Sequence, residues 1–250
     1  MLSKAKIKYI ESLHSKKFRQ KYNNFIAEGE KIVNEIIQAS NFDIELIVCT
    51  PEWHAENKLF LSHKTFEIIE CDESDLKKIS TLTTPNKVLC VVKKNTLSID
   101  YQLLESELSL YLDALQDPGN VGTILRIADW FGLPYVCFGS GTVDPFSPKV
   151  IQASMGAFLR VKVIEIELAA IKNNQKQLQI FGADMEGVSV FELPKQTTGI
   201  IVIGNEGGGL KPETESLLTQ KISIPRHKNG GAESLNAGIA TGIIVAAIRN

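Results

Sequence analysis

The chain is poor in the residues that build metal sites. It has four cysteines in 250 residues, Cys49, Cys71, Cys90 and Cys137, and no CxxC pair. That spacing argues against a zinc site. Cys90 in VLCVV and Cys137 in YVCFG sit in strand-like apolar runs, so reduced, buried thiols are expected. None of the four histidines, His14, His54, His63 and His227, has a partner at a metal-ligand spacing. No metal is expected. Long hydrophobic runs are missing too. A membrane helix needs roughly 18–20 apolar residues, and the longest apolar stretch, 237–248, is interrupted by Gly238, Thr241 and Gly242. The opening MLSKAKIKYIESLHSKK has charges throughout and no apolar core of a signal peptide. The expected address is the cytoplasm, with no membrane partner.

Nor is there an excess of one charge: the net charge is −2, which does not mark a nucleic-acid binder. Its distribution says more. Residues 1–21 carry Lys4, Lys6, Lys8, Lys16, Lys17, Arg19 and Lys21 against Glu11 alone, a local balance of +6. Such a basic arm can contact phosphates. It can equally be the solvated face of an amphipathic helix.

Two textures divide the chain. Residues 1–95 are poor in glycine and mix helix and strand signals. Ile32, Val33, Ile36 and Ile37 repeat at helical spacing after FIAEGEK, and 44–49, 66–70 and 87–93 read as short strands, with a short helix at 75–79. The polar stretch 96–107 reads as a linker. From 108 to 250 strand and helix signals alternate. Strands are expected at 108–115, 135–139, 160–166, 179–185, 200–204 and 221–225. Helices are expected at 121–131, 147–159, 212–219 and 232–249, with a Lys/Gln-rich helix between the third and fourth strands. Apolar strands bounded by helices imply a parallel sheet covered on both faces.

Three segments break this pattern, each after a strand, where open parallel sheets bind ligands. In DPGNVGTILRIADWFG, 117–132, a turn presents Asn120 as a candidate helix cap. Arg126 lies two turns on, along an apolar helix. A buried guanidinium needs a partner, either a phosphate or carboxylate of a ligand or an internal acid such as Glu206. In IVIGNEGGGL, 201–210, the glycines permit close approach of backbone to a ligand, or they make only a tight turn. GxxxxGK[ST] and GxGxxG with a downstream acid are both absent, and Gly139-Ser140-Gly141 is too short a match to replace them. In ISIPRHKNGGAESLNAGIATGIIVAAI, 222–248, Ser234 and Asn236 are polar residues of a kind that prefers caps and turns. Gly238 and Gly242 argue for an enforced close contact, since each costs roughly 0.5–1 kcal/mol in a helix.

In this order the three segments resemble the three motifs of the SpoU (TrmH-type) RNA 2′-O-methyltransferases of the SPOUT superfamily. ASMGA, 153–157, resembles the small-residue segment that family carries between its first two motifs. Residues 1–95, with KIKYIESLHSKKFRQKYNNFIAEGEKIV, resemble more weakly the substrate-binding domain of rRNA-modifying members. The resemblance implies an α/β fold of SPOUT type: a parallel sheet with a C-terminal trefoil knot, an exception to unknotted connections. It also implies a small ribosomal-protein-like α/β domain at 1–95 and a catalytic domain at 108–250. It implies S-adenosylmethionine as cofactor, RNA as partner and a homodimer. Asn120, Arg126, Glu206, Ser234 and Asn236 fall on the family's catalytic positions, and Gly204, Gly207, Ile224 and Leu235 on its cofactor positions. One departure stands out: RHKNGGAE separates Pro225 from Ser234, where the family has a shorter loop with Met or a small residue after the proline. Arg226, His227 and Lys228 are either RNA contacts or a solvated loop.

The resemblance implies methyl transfer to a ribose 2′-hydroxyl, most naturally of 23S rRNA given the N-terminal domain. The alternatives are a tRNA enzyme or a non-catalytic RNA-binding assembly protein. Intact Arg126, Glu206 and Asn236 argue against the last. In the family the arginine is the proposed base, yet arginine side chains keep their proton in proteins. Arg126 therefore either loses its proton in a shielded site or stays charged and anchors a phosphate.

Overall fold

The structure, a computed structural model, describes residues 2–39 and 41–249. The chain forms two compact units. One takes in the chain up to Thr96 together with Phe146–Gln152; the other takes in Leu97–Pro145 and the chain from Ala153 onward.

The N-terminal unit runs α1 (Lys4–Ser12), α2 (Lys16–Tyr22), β1 (Asn24–Glu28), α3 (Glu30–Gln38), β2 (Ile44–Cys49), α4 (Pro51–Leu61), β3 (Glu67–Glu70), α5 (Glu73–Ile79), β4 (Val88–Lys93). Its sheet has the order β1-β4-β2-β3. β4 is antiparallel to both β1 and β2, and β2 is parallel to β3. The stripe Ile32, Val33, Ile36 and Ile37 is the buried face of α3, as its spacing requires. Residues 1–21 are not a free arm. Ile7, Ile10 and Leu13 pack α1 and its end into a core with Leu46, Leu76 and Leu89. Ser3 caps α1 by accepting from the Lys6 amide. Arg19 is buried and donates to the carbonyls of Leu13 and His14 at 2.7 and 2.8 Å, where α1 has ended and amide donors run out. Lys6 pairs with Glu67. Two of the seven basic groups thus serve the fold; Lys4, Lys8, Lys16, Lys17 and Lys21 are exposed.

The second unit runs α6 (Tyr101–Ser106), β5 (Leu108–Leu112), α7 (Pro118–Trp130), β6 (Tyr135–Phe138), α8 (Pro148–Ser154), β7 (Lys162–Glu165), α9 (Leu168–Asn174), β8 (Ile180–Ser189), β9 (Gly199–Ile203), α10 (Pro212–Glu215), β10 (Gln220–Ser223), α11 (Ala237–Arg249). Most of α8 groups with the N-terminal unit. The stretch read as a linker holds α6, capped by Asp100, whose carboxylate accepts from the amides of Gln102 and Leu103, and anchored by buried Leu104. The six strands have the order β10-β8-β9-β5-β6-β7, and every pairing is parallel. All five residues of β5 and of β9 are buried, the signature of central strands covered on both faces.

Two expected helices end differently. The helix expected over 147–159 stops at Ser154, because Met155 (φ 49°) and Gly156 (φ 87°) both turn left-handed. The last helix begins at Ala237 rather than 232, so Ser234 and Asn236 lie ahead of it, not inside it.

In the strand order, β5-β6-β7 grows to one side and β9-β8-β10 to the other. The topological switch point lies between β5 and β9. The carboxyl ends of these two strands carry the first two of the three unusual segments, at the place where open parallel sheets form their ligand crevice.

Candidate active site

Motif 1 starts the site. Asp117 caps α7: its Oδ1 accepts from the Asn120 amide at 2.7 Å, and Pro118 follows in the first helical position. The cap is therefore Asp117 and not Asn120. This releases the Asn120 side chain for other bonds.

Asn120 sits at the middle of a hydrogen-bonded chain. Its Nδ2 donates to Glu206 Oε1 at 2.8 Å, and its Oδ1 accepts from Asn236 Nδ2 at 2.8 Å. Asn236 uses its own Oδ1 to cap α11, accepting from the amides of Gly238 and Ile239 at 3.0 and 3.2 Å. Three segments far apart in the chain thus meet through three side chains. An asparagine can do this because its amide donates and accepts at once.

Glu206 is presented by a ring of backbone. Asn205 and Gly209 exchange amide-to-carbonyl bonds of 2.9 and 3.0 Å. Asn205 Oδ1 accepts from the amides of Gly207 and Gly208, and its Nδ2 donates to the Ala114 carbonyl beyond β5. A Cβ on Gly204 would lie 2.6 Å from the Gly209 backbone, so the ring closes only with glycine there. The glycine segment is thus a tight turn whose purpose is to hold an acid at its tip. Sequence reasoning missed Asn205, although Asn ahead of glycines is the signal of a side chain bonding its own turn.

A second anchor was also missed. Asp113, buried at the end of β5, accepts from the Lys211 amide at 2.9 Å, and the Lys211 ammonium lies 3.4 Å from it. The same ammonium donates to the Ser140 carbonyl at 2.5 Å. Lys211 therefore ties together the chain after β5, β6 and β9.

The small residues of α11 meet α7. A Cβ on Gly238 would lie 3.0 Å from Thr123 Cγ2, and one on Gly242 would lie 3.6 Å from Ile127 Cδ1. The close contact is real at Gly238 and ordinary at Gly242. On the other side of α7, a Cβ on Gly122 would lie 2.3 Å from Ala153 Cβ, within the small-residue segment 153–157.

The remaining candidates are placed but not joined. Arg126 is exposed, in line with Thr123 and Trp130 on the uncovered side of α7. Among the described residues it makes no hydrogen bond or ion pair, so the internal pairing with Glu206 is absent. The premise of a buried guanidinium fails because α7 turns this face to solvent. Ser234 is exposed in the loop before α11 and has no hydrogen bond among the described residues. Ile224 is half-buried after β10, and Leu235 is exposed. Arg226 donates to the Ala232 carbonyl, closing its loop, while His227 and Lys228 are exposed.

Away from this site, charge is kept in structural pairs. Lys221 bonds Asp184 at 2.7 Å and Glu215 at 2.9 Å, and the first bond pulls the Asp184 carboxyl below its usual range. Burial pushes the thiols of Cys49, Cys90 and Cys137 up to about 12. These cysteines are structural. Among the described residues no group of three His, Cys, Asp or Glu could hold a metal, and no helix is long and apolar enough to cross a membrane.

A fully parallel sheet with an Asn–Asn–Glu chain across its switch point defines an α/β protein whose ligand crevice lies between motif loops. Its family follows from comparison. Residues 107–246 match the SpoU rRNA methylase family, and residues 4–90 match the MRM3-like substrate binding domain. The chain belongs to the SpoU rRNA methylase family. It is 28% identical over 98% of its length to the 23S rRNA (guanosine(2553)-2′-O)-methyltransferase RlmP of Bacillus subtilis, and covers 96% of that protein. A solved structure from Porphyromonas gingivalis, described as TrmH-family, is 37% identical with a TM-score of 0.87, covering 100% of this chain and 98% of that one. An AdoMet-bound rRNA methyltransferase from Sinorhizobium meliloti is 26% identical with a TM-score of 0.86, covering 99% of this chain and 95% of that one.

Proposed function

We propose that the protein transfers the methyl group of S-adenosylmethionine to a ribose 2′-hydroxyl of RNA, with 23S rRNA as its substrate. The observation that carries this reading is the Asn236–Asn120–Glu206 chain, which links all three SpoU motifs at the switch point. The residues there fit the cofactor. Gly207 leaves exposed backbone unobstructed by a side chain, Gly204 lets the Gly209 backbone close the turn beside it, and Ile224 and the exposed Leu235 offer apolar surface for a purine ring. When bound, the cofactor supplies a methyl group already activated on a sulfonium.

The chain's own work is to orient the ribose and remove a proton. Arg126 is uncovered and, among the described residues, without an internal partner, so its planar fork is available to a phosphate next to the reacting sugar. We assign it this anchoring role. Glu206, held by Asn120, is the carboxylate at the site. Ser234 and Asn236 shape the same crevice. Gly204, Gly207, Ile224 and Leu235 are assigned to the cofactor. The trefoil knot that the family implies belongs to this 108–250 domain. Residues 1–95 are assigned to RNA binding, with the Arg226–Lys228 loop as a further phosphate contact.

We also assign a homodimer, in the cytoplasm. Trp130 and Ile239 are 85% and 58% exposed on α7 and α11. Uncovered apolar groups of this size on packed helices fit an interface with a second copy.

The test is transfer of labelled methyl from S-adenosylmethionine to total RNA from a strain lacking the gene, with wild type beside Arg126→Ala. Label in 23S rRNA that the variant fails to place supports the assignment. Near-native transfer by Arg126→Ala removes both roles considered for the arginine.

A further inference from the structure

Tyr9 of α1 packs against the N-terminal core, but the aromatic side chains of α2, Phe18 and Tyr22, are not part of that cluster. Tyr22 is 41% exposed at the end of α2. Its ring is stacked on Phe18, with centroids 6.1 Å apart and planes 16° from parallel, and packs edge-to-face on Tyr9 at 5.1 Å. Tyr9 is itself fixed: its hydroxyl donates to Glu45 at 2.9 Å and accepts from Asn24 at 2.7 Å. Asn23, left-handed at φ 56°, ends the helix, and its side chain donates to the Lys94 carbonyl at 3.1 Å. Tyr22 is thus a partly uncovered ring held rigid from two sides. Lys17 and Lys21 reach over the Phe18 and Tyr22 rings at 5.9 and 5.3 Å. Together with Lys16 they are exposed, and none pairs with an acid among the described residues.

A rigid ring with unpaired ammonium groups beside it is the combination that holds single-stranded nucleic acid: bases stack on the ring and lysines take the phosphates. Paired A-form RNA cannot use such a ring, because its bases are stacked and shielded. We propose that Tyr22, with Phe18, Lys17 and Lys21, is a docking site for an unpaired nucleotide of RNA. The proposal rests on the RNA reading above and adds to it the class of RNA recognised: a loop or bulge, not a duplex. Lys17 and Lys21 leave the rings for phosphates when the nucleotide binds, which exposes the Tyr22 face for stacking.

Binding is measured on the full chain with two probes, an RNA hairpin with a loop of unpaired bases and a blunt duplex of the same stem. A base–aromatic stack is worth about five- to hundredfold in affinity. Tyr22→Ala is expected to weaken the hairpin about tenfold and leave the duplex unchanged, and Tyr22→Trp is expected to restore it. Tyr22→Leu keeps apolar packing against Tyr9 without a π face, so it should show the same loss on the hairpin alone and keeps the test decisive if the alanine variant unfolds. Lys17→Gln with Lys21→Gln is expected to flatten the salt dependence of hairpin binding by about 0.7 in log–log slope per lysine. Hairpin binding by Tyr22→Leu equal to wild type, or an equal loss on hairpin and duplex, overturns the proposal. Methyl transfer by wild type, run in parallel, separates the two readings. Transfer with unaffected Tyr22 variants ends the docking site alone; no RNA binding and no transfer by wild type ends both.

Discussion

Asn236 has two jobs that a single substitution can separate. Its Oδ1 caps α11 and its Nδ2 holds Asn120. Asn236→Asp keeps an acceptor at the cap, and a carboxylate at a helix N-terminus gains about 0.3–1 kcal/mol from the dipole. Asn120 is left with one amide donor group between two carboxylates, so one of its two bonds is lost, at a cost of about 0.5–1.5 kcal/mol. These nearly cancel, and with ~2–4 °C per kcal/mol for a chain of this size the melting temperature should move by only a few degrees. Activity is different. The carboxylate introduced by Asn236→Asp has no donor, so the Asn120 amide is best satisfied by turning its NH2 toward that carboxylate. That presents its oxygen to Glu206, which loses its donor. A hydrogen bond to a charged group is worth about 1.5–3 kcal/mol, and the exposure of Glu206 puts this one at the low end. The expected result is a fall in kcat/KM of about tenfold, with little change in melting temperature. Asn236→Ala should instead lose both the cap, about 1 kcal/mol, and the activity. Calorimetry and single-turnover methyl transfer read the two effects separately. Wild-type turnover by Asn236→Asp would refute the idea that the chain of bonds positions Glu206.

Other consequences are independent of that one. Gly122→Ala should destabilise by about 1–3 kcal/mol, because its Cβ would lie 2.3 Å from Ala153 Cβ and 2.7 Å from backbone carbon; denaturant unfolding measures this. Gly238→Ala should also destabilise despite the better helix propensity of alanine, since Thr123 stands 3.0 Å away. Trp130→Glu should give a monomer in sedimentation at concentrations where wild type is dimeric, if α7 and α11 form the interface. The four buried thiols should resist alkylation at neutral pH and react fully in denaturant. Burial raises their ionisation in the folded state to about 11 for Cys71 and about 12 for Cys49, Cys90 and Cys137. An unfolded thiol ionises near 8.5. The sign therefore favours the unfolded chain at high pH: stability is intact below about 8.5 and declines toward 11–12. A melting temperature flat across that window would contradict it.

What the sequence reveals and what it hides follow one physical division. Periodic burial is a local property, so the stripe of α3 and the strands β2 and β9 are readable from spacing, whereas the start of α7 is not: Asn120 reads as its cap, but the cap is Asp117 with Pro118 after it. Side-chain direction is not local. Arg126 reads as a buried charge because its neighbours Leu125 and Ile127 are apolar, yet the helix places 123, 126 and 130 on an uncovered side. The basic N-terminus reads as an arm because its seven basic groups stand against a single acid, Glu11. Ile7, Ile10 and Leu13 are enough to fold it, and Arg19 is spent on two carbonyls at the end of α1. The same limit hides Asn205 and the Asp113–Lys211 anchor, whose partners lie 91 and 98 positions away along the chain. Composition identifies groups able to bond; only the strand order decides which carboxyl ends face each other across the crevice. The segments read as one site are therefore found by their oddity within a regular α/β pattern, whereas the residues that hold the site in shape look ordinary in sequence and are visible only in the fold.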